Sequence, residues 1–239
     1  MNSNQSRLIR RFDNRRDMAA ECASFLAAEI SGRLDGRGRL NLALAGGSSP
    51  APVYARLRAE QGIDWKKVHF FFSDERLVPL TDKASNYRMA EENLLGELRL
   101  PQENVHPVNV NMPNADEAAR DYELRMRAHF GLEGPKIPGF DIILLGMGDD
   151  GHTASLFPGA PALVETEKLI APVDGAAGNP PVDRVTFTLP LINAADMVVF
   201  IVAGQDKLRI VDGMELDRGG MYPAAEVSPA GRSVWFASP

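Results

Sequence analysis

Residues 140–159 read FDIILLGMGDDGHTASLFPG, and this stretch both decides the fold class and locates a candidate site. The apolar run at 142–145 is typical of a strand buried on both faces, and the glycines after it permit a tight turn. Asp149, Asp150 and His152 therefore lie at the C-terminal end of a strand. Ligands bind at that end of open α/β sheets, which makes His152 the leading candidate for acid–base chemistry. Taken alone, the segment fits a surface turn with an exposed histidine equally well.

Strand-like and helix-like segments alternate along the rest of the chain. Apolar runs of strand length are found at 40–45 (LNLALA), 68–72 (VHFFF), 141–145 (DIILL), 185–189 (VTFTL) and 197–203 (MVVFIVA). Helical patterns are found at 17–34, 50–60, 86–98, 115–130 and 205–213. This alternation predicts a Rossmann-like α/β fold, with a mostly parallel sheet and helices on both faces. We expect a single domain over residues 1–239.

Composition limits the partners and the compartment. The chain has 239 residues and a net charge of −6, which argues against a general binder of nucleic acid or of membrane surfaces. Its one cysteine, Cys22, lies on a predicted helix and is expected to pack in the core rather than form a disulfide. No uninterrupted apolar segment has the length to cross a bilayer. We therefore expect a cytoplasmic protein, monomeric or weakly homo-oligomeric, that binds a small molecule.

Polar, glycine-rich turns follow four of the predicted strands. They are GGSSP (46–50), SDER (73–76), GMGDDGHTAS (146–155) and GQDK (204–207). The carboxyl ends of parallel strands meet at one edge of a sheet, so these turns are expected to surround a single crevice. The repetition of polar residues at the same end of several strands favours a binding site over chance.

The turn at 46–50 has the features of a phosphate cradle. Gly46 and Gly47 expose backbone N–H groups, Ser48 adds a hydroxyl, and Pro50 is suited to begin a helix. The turn lacks the Lys-Ser/Thr of a P-loop and the second glycine of a nucleophile elbow, which argues against a nucleotide site and a catalytic serine. The alternative is an ordinary strand-to-helix turn with a serine cap.

Basic residues elsewhere in the chain can complete such a site. Lys207 opens a predicted helix and Arg184 begins the VTFTL strand, although each on its own is typical of solvated surface charge. After the VHFFF strand, Arg76 is a candidate clamp for a carboxylate or phosphate, and Asp74 is a candidate for orienting the substrate. The alternative for these two residues is an internal ion pair at the end of a strand.

The pattern of histidines and cysteines argues against a metal centre. Asp150 and His152 are acceptable ligands for several ions, but the chain has no His-x-x-x-His or Cys-x-x-Cys pair. The other histidines, His69, His106 and His129, are in unrelated sequence contexts, and we expect His69 and His129 to be structural. The sequence therefore predicts neither a metal nor a cofactor.

Four segments together resemble the glucosamine-6-phosphate isomerase/6-phosphogluconolactonase family. They are LALAGGSSP, SDERLVPLTDKASNYRMAEENLL, GMGDDGHTASLFPG and RVTFTLPLINAADMVVFIVAGQDK, in that order over most of the chain. The third segment is the most specific. The resemblance implies a fold of the glucosamine-6-phosphate deaminase/ribose-5-phosphate isomerase type, which does not by itself decide the chemistry. It also implies a final helix, whereas this chain ends at SVWFASP.

Two positions in these segments favour lactone hydrolysis over deamination. The resemblance implies that a deaminase has an acid a few residues after its Asp-Gly-His, whereas this chain has Phe157, which cannot transfer protons. A deaminase also tends to have Asp-Glu-Tyr at the position of Asp74-Glu75-Arg76, and Arg76 suits a site that must manage carboxylate charge. The alternatives are a sugar-phosphate deaminase or isomerase, and a non-catalytic sugar-phosphate sensor that has no need for His152.

The activity that the resemblance implies is the hydrolysis of 6-phosphoglucono-δ-lactone to 6-phosphogluconate in the oxidative pentose phosphate pathway. In this hypothesis, neutral His152, oriented by Asp150 or a nearby acid, removes a proton from the water that attacks C1. Arg76 or the N–H groups of the glycine turn stabilise the oxyanion. The resemblance implies that the phosphate is held by Gly47, Ser48, Arg184 and Lys207.

Overall fold

The computed structural model describes residues 7–214 and 221–239. Its strands are β1 (Arg7–Arg11), β2 (Leu40–Leu44), β3 (Val68–Phe72), β4 (Asp74–Arg76), β5 (Ile142–Leu145), β6 (Ile170–Val173), β7 (Arg184–Phe187), β8 (Met197–Ala203) and β9 (Arg232–Ser238). Its α-helices are α1 (Arg15–Leu34), α2 (Ala51–Leu57), α3 (Asn86–Asn93), α4 (Ala115–Phe130), α5 (Leu189–Asn193) and α6 (Gln205–Gly213). Every strand and helix predicted from the sequence is found, although α2 and α3 end three and five residues before the predicted ends at 60 and 98.

Within the described ranges, six strands form one sheet in which all paired strands run parallel. Their order across the sheet is β1-β9-β8-β5-β2-β3. The central strands β8, β5 and β2 are buried along their whole length. This is the pattern of strands covered by helices on both faces, and it explains why they appear in the sequence as continuous apolar runs. The predicted α/β architecture is therefore confirmed.

Alternate residues of each strand divide between two hydrophobic clusters, one on each face of the sheet. In β2, Leu42 and Leu44 belong to the cluster that contains the buried residues of α1, α2 and α3. Ala43, which lies between them, belongs to the cluster that contains those of α4, α5 and α6. The sheet is thus held between two layers of helices. The edges at which its strands end in loops remain available for a site.

The helix ends follow from their capping residues. The side chain of Asn14 accepts a hydrogen bond from the Asp17 N–H at the start of α1, and Asn114 does the same for the Glu117 N–H at the start of α4. Gly131, with a φ of 62°, ends α4 in the left-handed conformation. These signals explain why the predicted bounds of α4 coincide with the observed ones.

Cys22 packs in the core, as predicted. It lies on the buried face of α1, and desolvation raises the pKa of its thiol far above the usual range. In residues 7–214 and 221–239, no helix combines the length and the hydropathy that a membrane crossing requires.

A second, smaller sheet corrects the sequence analysis. In the described chain it has the order β4-β7-β6 and is antiparallel. The VTFTL segment, expected to belong to the parallel sheet, contributes β7 to this second sheet, and the SDER turn contributes β4. These strands have only three or four residues each. Such short runs have no periodicity that distinguishes a strand from a turn or a parallel from an antiparallel partner.

The last segment, for which the sequence predicts no definite element, is a strand. Residues 232–238 form β9, which lies between β1 and β8 in the parallel sheet. Trp235 and Phe236 are fully buried on opposite faces of the sheet. The segment is a strand because its apolar and aromatic residues fill both cores at once.

The three histidines outside the glycine turn lie together, so the expectation that their contexts are unrelated is wrong. His69 is in β3, His129 is in the last turn of α4, and His106 is in the segment between these two elements. One ring nitrogen of each lies within 4.8 Å of those of the other two. Burial and the neighbouring histidines lower the pKa of His106 to about 4 and that of His129 to about 3. Burial also lowers the pKa of His69.

Candidate active site

The four polar turns meet at one edge of the parallel sheet. The strands that precede them, β8, β5, β2 and β3, are consecutive neighbours, so their carboxyl ends lie side by side. A cavity of about 280 Å³ lies between these ends and the second sheet. Eight of the nine site residues predicted from the sequence line this cavity, namely Gly46, Gly47, Ser48, Asp74, Arg76, His152, Arg184 and Lys207. The ninth, Asp150, reaches the cavity through its contact with His152.

The glycine turn after β5 folds back on itself to present His152. The Gly148 N–H donates to the backbone oxygen of His152 at 2.9 Å, and the Gly151 N–H donates to that of Gly148 at 3.1 Å. A Cβ atom at position 148 would overlap the imidazole of His152. Gly148 is therefore required because the ring lies directly against the backbone, and Gly151 is required because its φ is 78°.

Asp150 is the acid that contacts His152. Its Oδ1 atom accepts the backbone N–H of His152 at 3.0 Å and lies 2.6 Å from the ring Nδ1. A carboxylate can only accept, so Nδ1 carries the proton and Nε2 of a neutral imidazole has the free lone pair. Partial burial acts to raise the pKa of Asp150, but the hydrogen bonds and charge of His152 outweigh it and hold that pKa below its ordinary value.

Arg76 and Arg184 form a basic wall of the cavity. They are directly paired residues of the antiparallel strands β4 and β7. One amino group of each is held by a backbone oxygen, that of Ala84 at 2.6 Å for Arg76 and that of Pro180 at 3.1 Å for Arg184. The Nε atoms of both are buried without a hydrogen-bond partner among the described residues. Burial and the charge of Arg76 lower the pKa of Arg184, so the wall is well suited to an anion.

Asp74 lies between this wall and the rest of the site. Its Oδ2 atom accepts the hydroxyl of Ser155 at 2.7 Å, and its Oδ1 atom accepts the amide of Asn86 at 3.0 Å. The sequence analysis assigns Asp74 to substrate binding, and the structure does place it on the cavity surface. Because both oxygens already accept internal hydrogen bonds, Asp74 is also suited to hold Ser155 and Asn86 in place.

Glu75 has a different role from Asp74 and points away from the cavity lining. Its carboxylate accepts the backbone N–H groups of Arg76, Asn86 and Tyr87, each at 2.8 Å, and the hydroxyl of Ser85 at 3.1 Å. Burial raises the pKa of Glu75, although these hydrogen bonds oppose the shift. Glu75 therefore fixes the start of α3 to strand β4, which carries Arg76.

The GGSSP turn packs closely on the start of α3. A Cβ atom at position 46 would overlap the side-chain amide of Asn86. The Oδ1 atom of Asn86 is buried and has no hydrogen-bond partner within the described ranges. Gly46 is thus needed for close approach, while Gly47, with a φ of 93°, turns the backbone along the cavity.

Lys207 approaches the cavity from the opposite side. It lies in the first turn of α6, whose start at Gly204 has a φ of 137°. Its Nζ atom is 3.8 Å from Oδ1 of Asp149, whose side chain is largely exposed. Lys207 therefore adds to the cavity lining a cation that is less buried than Arg184.

Three residues that the sequence analysis did not assign to the site contribute to it. Phe157 packs its ring against His152, with 4.4 Å between centroids, and lies under the guanidinium of Arg184 at 5.4 Å. Ser155 anchors Asp74, and Ala154 lines the cavity with a φ of 49°, an uncommon conformation for a residue with a side chain. Nothing in the sequence distinguishes Ser155 from the nearby Thr153, because its role depends on a contact 81 positions away.

The cavity lining contains acids and one imidazole, which are possible metal ligands. In the part of the chain that the structure describes, however, one group of three side chains has its ligand atoms close enough to share a metal ion, and it consists of His69, His106 and His129. That group lies outside the cavity. The donors in the cavity are arginine, lysine and backbone N–H groups, which suit an anionic ligand.

Comparison with known proteins gives consistent matches. Residues 13–235 match the family model for glucosamine-6-phosphate isomerases/6-phosphogluconolactonase. The chain is 42% identical over 203 residues to the 6-phosphogluconolactonase of Synechocystis sp., and the aligned region covers 84% of this chain and 82% of that protein. It is 37% identical over 235 residues to the 6-phosphogluconolactonase of Rattus norvegicus, and that aligned region covers 96% of this chain and 90% of the rat protein.

Solved structures with the same names have the same fold. The crystal structure of 6-phosphogluconolactonase from Thermotoga maritima has a TM-score of 0.87 at 30% identity, covering 98% of this chain and 100% of that one. The structure from Trypanosoma brucei has a TM-score of 0.88 at 30% identity, covering 98% and 97%. Because the family model covers residues 13–235, which include the second sheet and every turn that lines the cavity, the chain belongs to the glucosamine-6-phosphate isomerase/6-phosphogluconolactonase family.

Proposed function

We propose that this protein is a lactonase that hydrolyses 6-phosphoglucono-1,5-lactone to 6-phosphogluconate, the lactone-opening step of the oxidative pentose phosphate pathway. His152 acts as the general base, and the reaction needs no metal. One observation carries the proposal. An imidazole with its Nδ1 held by Asp150 lies in the same 280 Å³ cavity as the buried Arg184 and the partly buried Arg76. The relatives named 6-phosphogluconolactonase, which match over most of the chain, support the choice of substrate.

The phosphate of the substrate binds the basic side of the cavity. Arg184 contributes a buried guanidinium and Lys207 an ammonium at the rim, and both line the cavity together with Gly47 and Ser48. A charge-assisted hydrogen bond to phosphate contributes about 1.5–3 kcal/mol. Binding of the dianion also relieves the repulsion between the paired arginines. Phosphorylated sugars are therefore preferred over their unphosphorylated forms.

The hydrolytic step uses the free Nε2 atom of His152. Nε2 accepts a proton from water while the water oxygen forms a bond to C1 of the lactone. The tetrahedral intermediate then collapses, the bond between C1 and the ring oxygen breaks, and the ring oxygen takes the proton back from the imidazolium. General-base catalysis of this kind contributes roughly 10²–10⁴-fold, or about 3–5 kcal/mol.

Arg76 stabilises the negative charge that develops on the carbonyl oxygen. It lines the cavity on the same wall as Arg184, and its Nε atom has no hydrogen-bond partner in the described chain. The same guanidinium then faces the carboxylate of the product. Because its Nε atom is buried and one amino group is held by the Ala84 oxygen, the guanidinium needs little reorganisation during the reaction.

The contact between Phe157 and His152 favours hydrolysis over deamination or isomerisation. Opening a sugar-phosphate ring calls for an acid next to the histidine, and the phenyl ring occupies that space, 4.4 Å from the imidazole between centroids. Phe157 is 5% exposed, so it also shields one side of the imidazole from solvent. The phenyl ring has no proton to exchange, so the proton-transfer partners of Nε2 are the attacking water and the ring oxygen of the lactone.

Hydrolysis of freshly generated 6-phosphoglucono-1,5-lactone at neutral pH tests the proposal, after subtraction of the spontaneous rate. We expect acceleration by wild-type protein treated with EDTA and a rate close to background for His152→Asn. Loss of activity on EDTA treatment, restored by a metal, would contradict metal independence. Full activity of His152→Asn would remove the histidine from the mechanism, and absence of acceleration by the wild type would reject the lactonase assignment.

A further inference from the structure

We propose that His69, His106 and His129 form a binding site for a divalent transition-metal ion of the zinc class, separate from the active site. The Nδ1 atom of His69 and the Nε2 atom of His106 are 3.3 Å apart. Two imidazoles on a tetrahedral ion, each about 2.0–2.1 Å from the metal, place their nitrogens about 3.4 Å apart. The third ring nitrogen lies within 4.8 Å of the others, so small side-chain rotations on the order of 1 Å complete the set.

The outer contact of His129 is that of a metal-ligating histidine. Its Nε2 atom is 2.7 Å from the amide oxygen of Asn41, and that oxygen can only accept. His129 therefore has its proton on Nε2 and a lone pair on Nδ1. Acceptors that hold the outer nitrogen fix the orientation of metal-binding histidines in this way.

Packing alone does not require three imidazoles at this position. His106 stacks on Phe71 at 4.3 Å between centroids, and His129 contacts the edge of the same ring at 5.2 Å. Apolar rings would provide the same contacts, so the convergence of three ring nitrogens within 4.8 Å is not explained by packing.

The surrounding charges and the donor set indicate which ions bind. Arg39 and Arg125 lie close enough to disfavour positive charge on the rings, which weakens the attraction for any cation. The site has no carboxylate among its three ligands, so Mg²⁺ and Ca²⁺ are excluded in favour of Zn²⁺, Co²⁺, Ni²⁺ or Cu²⁺. Three protein ligands leave a fourth position for water, since the rings are only partly buried.

The position of the site assigns it a structural role. His69 lies near the start of β3, about five residues before the turn that carries Asp74, which corresponds to roughly 17 Å along an extended strand. Val105, the residue before His106, forms an isolated parallel bridge with Phe70 of β3, and the His106 N–H donates to the Phe70 oxygen. A bound ion therefore connects the end of α4 to the edge strand of the sheet, and it stabilises the fold without taking part in lactone chemistry.

Co²⁺ titration of the full-length protein, stripped of metal with a chelator, tests this site. We expect one equivalent to bind with the visible absorption of a four-coordinate ion, and Zn²⁺ to displace it. The variant His106→Phe keeps the stacking on Phe71 but loses the ligand, and it is expected to bind at least tenfold more weakly. His129→Gln provides a second test if His106→Phe does not fold. Both variants should keep wild-type lactone hydrolysis.

The active-site variant His152→Ala is the matched control, because it removes the one histidine outside the cluster. It should bind Co²⁺ with wild-type affinity and spectrum. The proposal is overturned if the folded wild type gives no four-coordinate spectrum or if both cluster variants bind as tightly as the wild type. Loss of binding in His152→Ala, with binding retained in the cluster variants, would instead place the ion in the active site.

Discussion

Arg76 and Arg184 are directly opposed residues on the antiparallel strands β4 and β7, and both line the cavity that contains His152. Like charges in opposed positions on a sheet are destabilising. The Nε atoms of both are also buried without a hydrogen-bond partner in the described ranges. Such an arrangement suits an anion, and in the proposed function the substrate supplies it.

The first prediction concerns Arg184→Met, which keeps the length of the side chain and removes its charge. We expect kcat/KM for the phosphorylated lactone to fall about 10–100-fold, mainly through KM, because one charge-assisted contact to phosphate is lost. Steady-state kinetics on phosphorylated and unphosphorylated lactones measures the effect. The exposed Arg209→Met, in α6, serves as control and should not change either constant.

Arg184→Met should also lose most of the thermal stabilisation that an anion gives the wild type. Inorganic phosphate is expected to raise the melting temperature of the wild type and to have a much smaller effect on Arg184→Met, because the repulsion within the arginine pair is already removed. An equal rise in both proteins, together with an unchanged KM, would show that the phosphate binds elsewhere.

The second prediction separates the two acids next to His152. Asp150 holds the Nδ1 proton of the ring, whereas Asp149 contacts Lys207. Asp150→Asn should lower kcat on the order of 10–10³-fold, since an amide no longer enforces the correct tautomer, and Asp149→Asn should leave kcat unchanged. His152→Asn should lower kcat about 10²–10⁴-fold with little change in KM. Initial rates at saturating lactone measure all three.

A different order of effects would reassign the roles. If Asp149→Asn slows the reaction as much as Asp150→Asn, the 2.6 Å contact between Asp150 and the ring Nδ1 does not identify the acid that orients His152. If His152→Asn raises KM sharply and leaves kcat intact, the histidine binds the substrate rather than activating water.

The main sheet and the place of the site are predictable from the sequence for a physical reason. Strands buried on both faces must be continuously apolar, so β5 and β8 are evident in the sequence, and the turns after them carry polar residues that a buried turn would not tolerate. Because the carboxyl ends of parallel strands lie at one edge of a sheet, these turns are expected at one crevice. His152 and Lys207 could therefore be assigned to one site without knowledge of their contacts.

The rest depends on tertiary contacts that leave no local pattern. Strand β4 has three residues, so the opposition of Arg76 and Arg184 is visible only once the second sheet is formed. The contact of Ser155 with Asp74 and the convergence of the three histidines likewise join segments far apart in the chain. Sequence periodicity contains no information on such contacts.

The third prediction concerns Glu75, which we expect to act in stability rather than in catalysis. Glu75→Gln replaces one accepting oxygen by an NH₂ group that faces backbone N–H donors of α3. The loss of these hydrogen bonds should lower the free energy of unfolding by about 2–4 kcal/mol. Urea denaturation measures it.

The same substitution at Glu92 is the control for Glu75→Gln. Glu92 forms an exposed ion pair with Arg88 on α3, and its replacement should change stability by less than about 0.5 kcal/mol. Equal effects of the two substitutions would mean that the buried carboxylate does not fix the start of α3.

The fourth prediction uses two glycines of one turn to test whether catalysis depends on the position of the imidazole. A Cβ atom at Gly148 would overlap the ring of His152, whereas the nearest atom to a Cβ at Gly146 is the Gly46 oxygen at 3.8 Å. Neither glycine has a positive φ, so alanine is compatible with the backbone at both positions. Gly148→Ala should therefore displace the partly exposed ring and lower kcat at least about tenfold, because misplacement of a catalytic group by about 1 Å is costly. Gly146→Ala should remain close to the wild type in kcat.

Melting temperatures of both variants establish that they fold. Equal kcat values for the two folded variants would show that the close packing of His152 on the turn does not set its catalytic position.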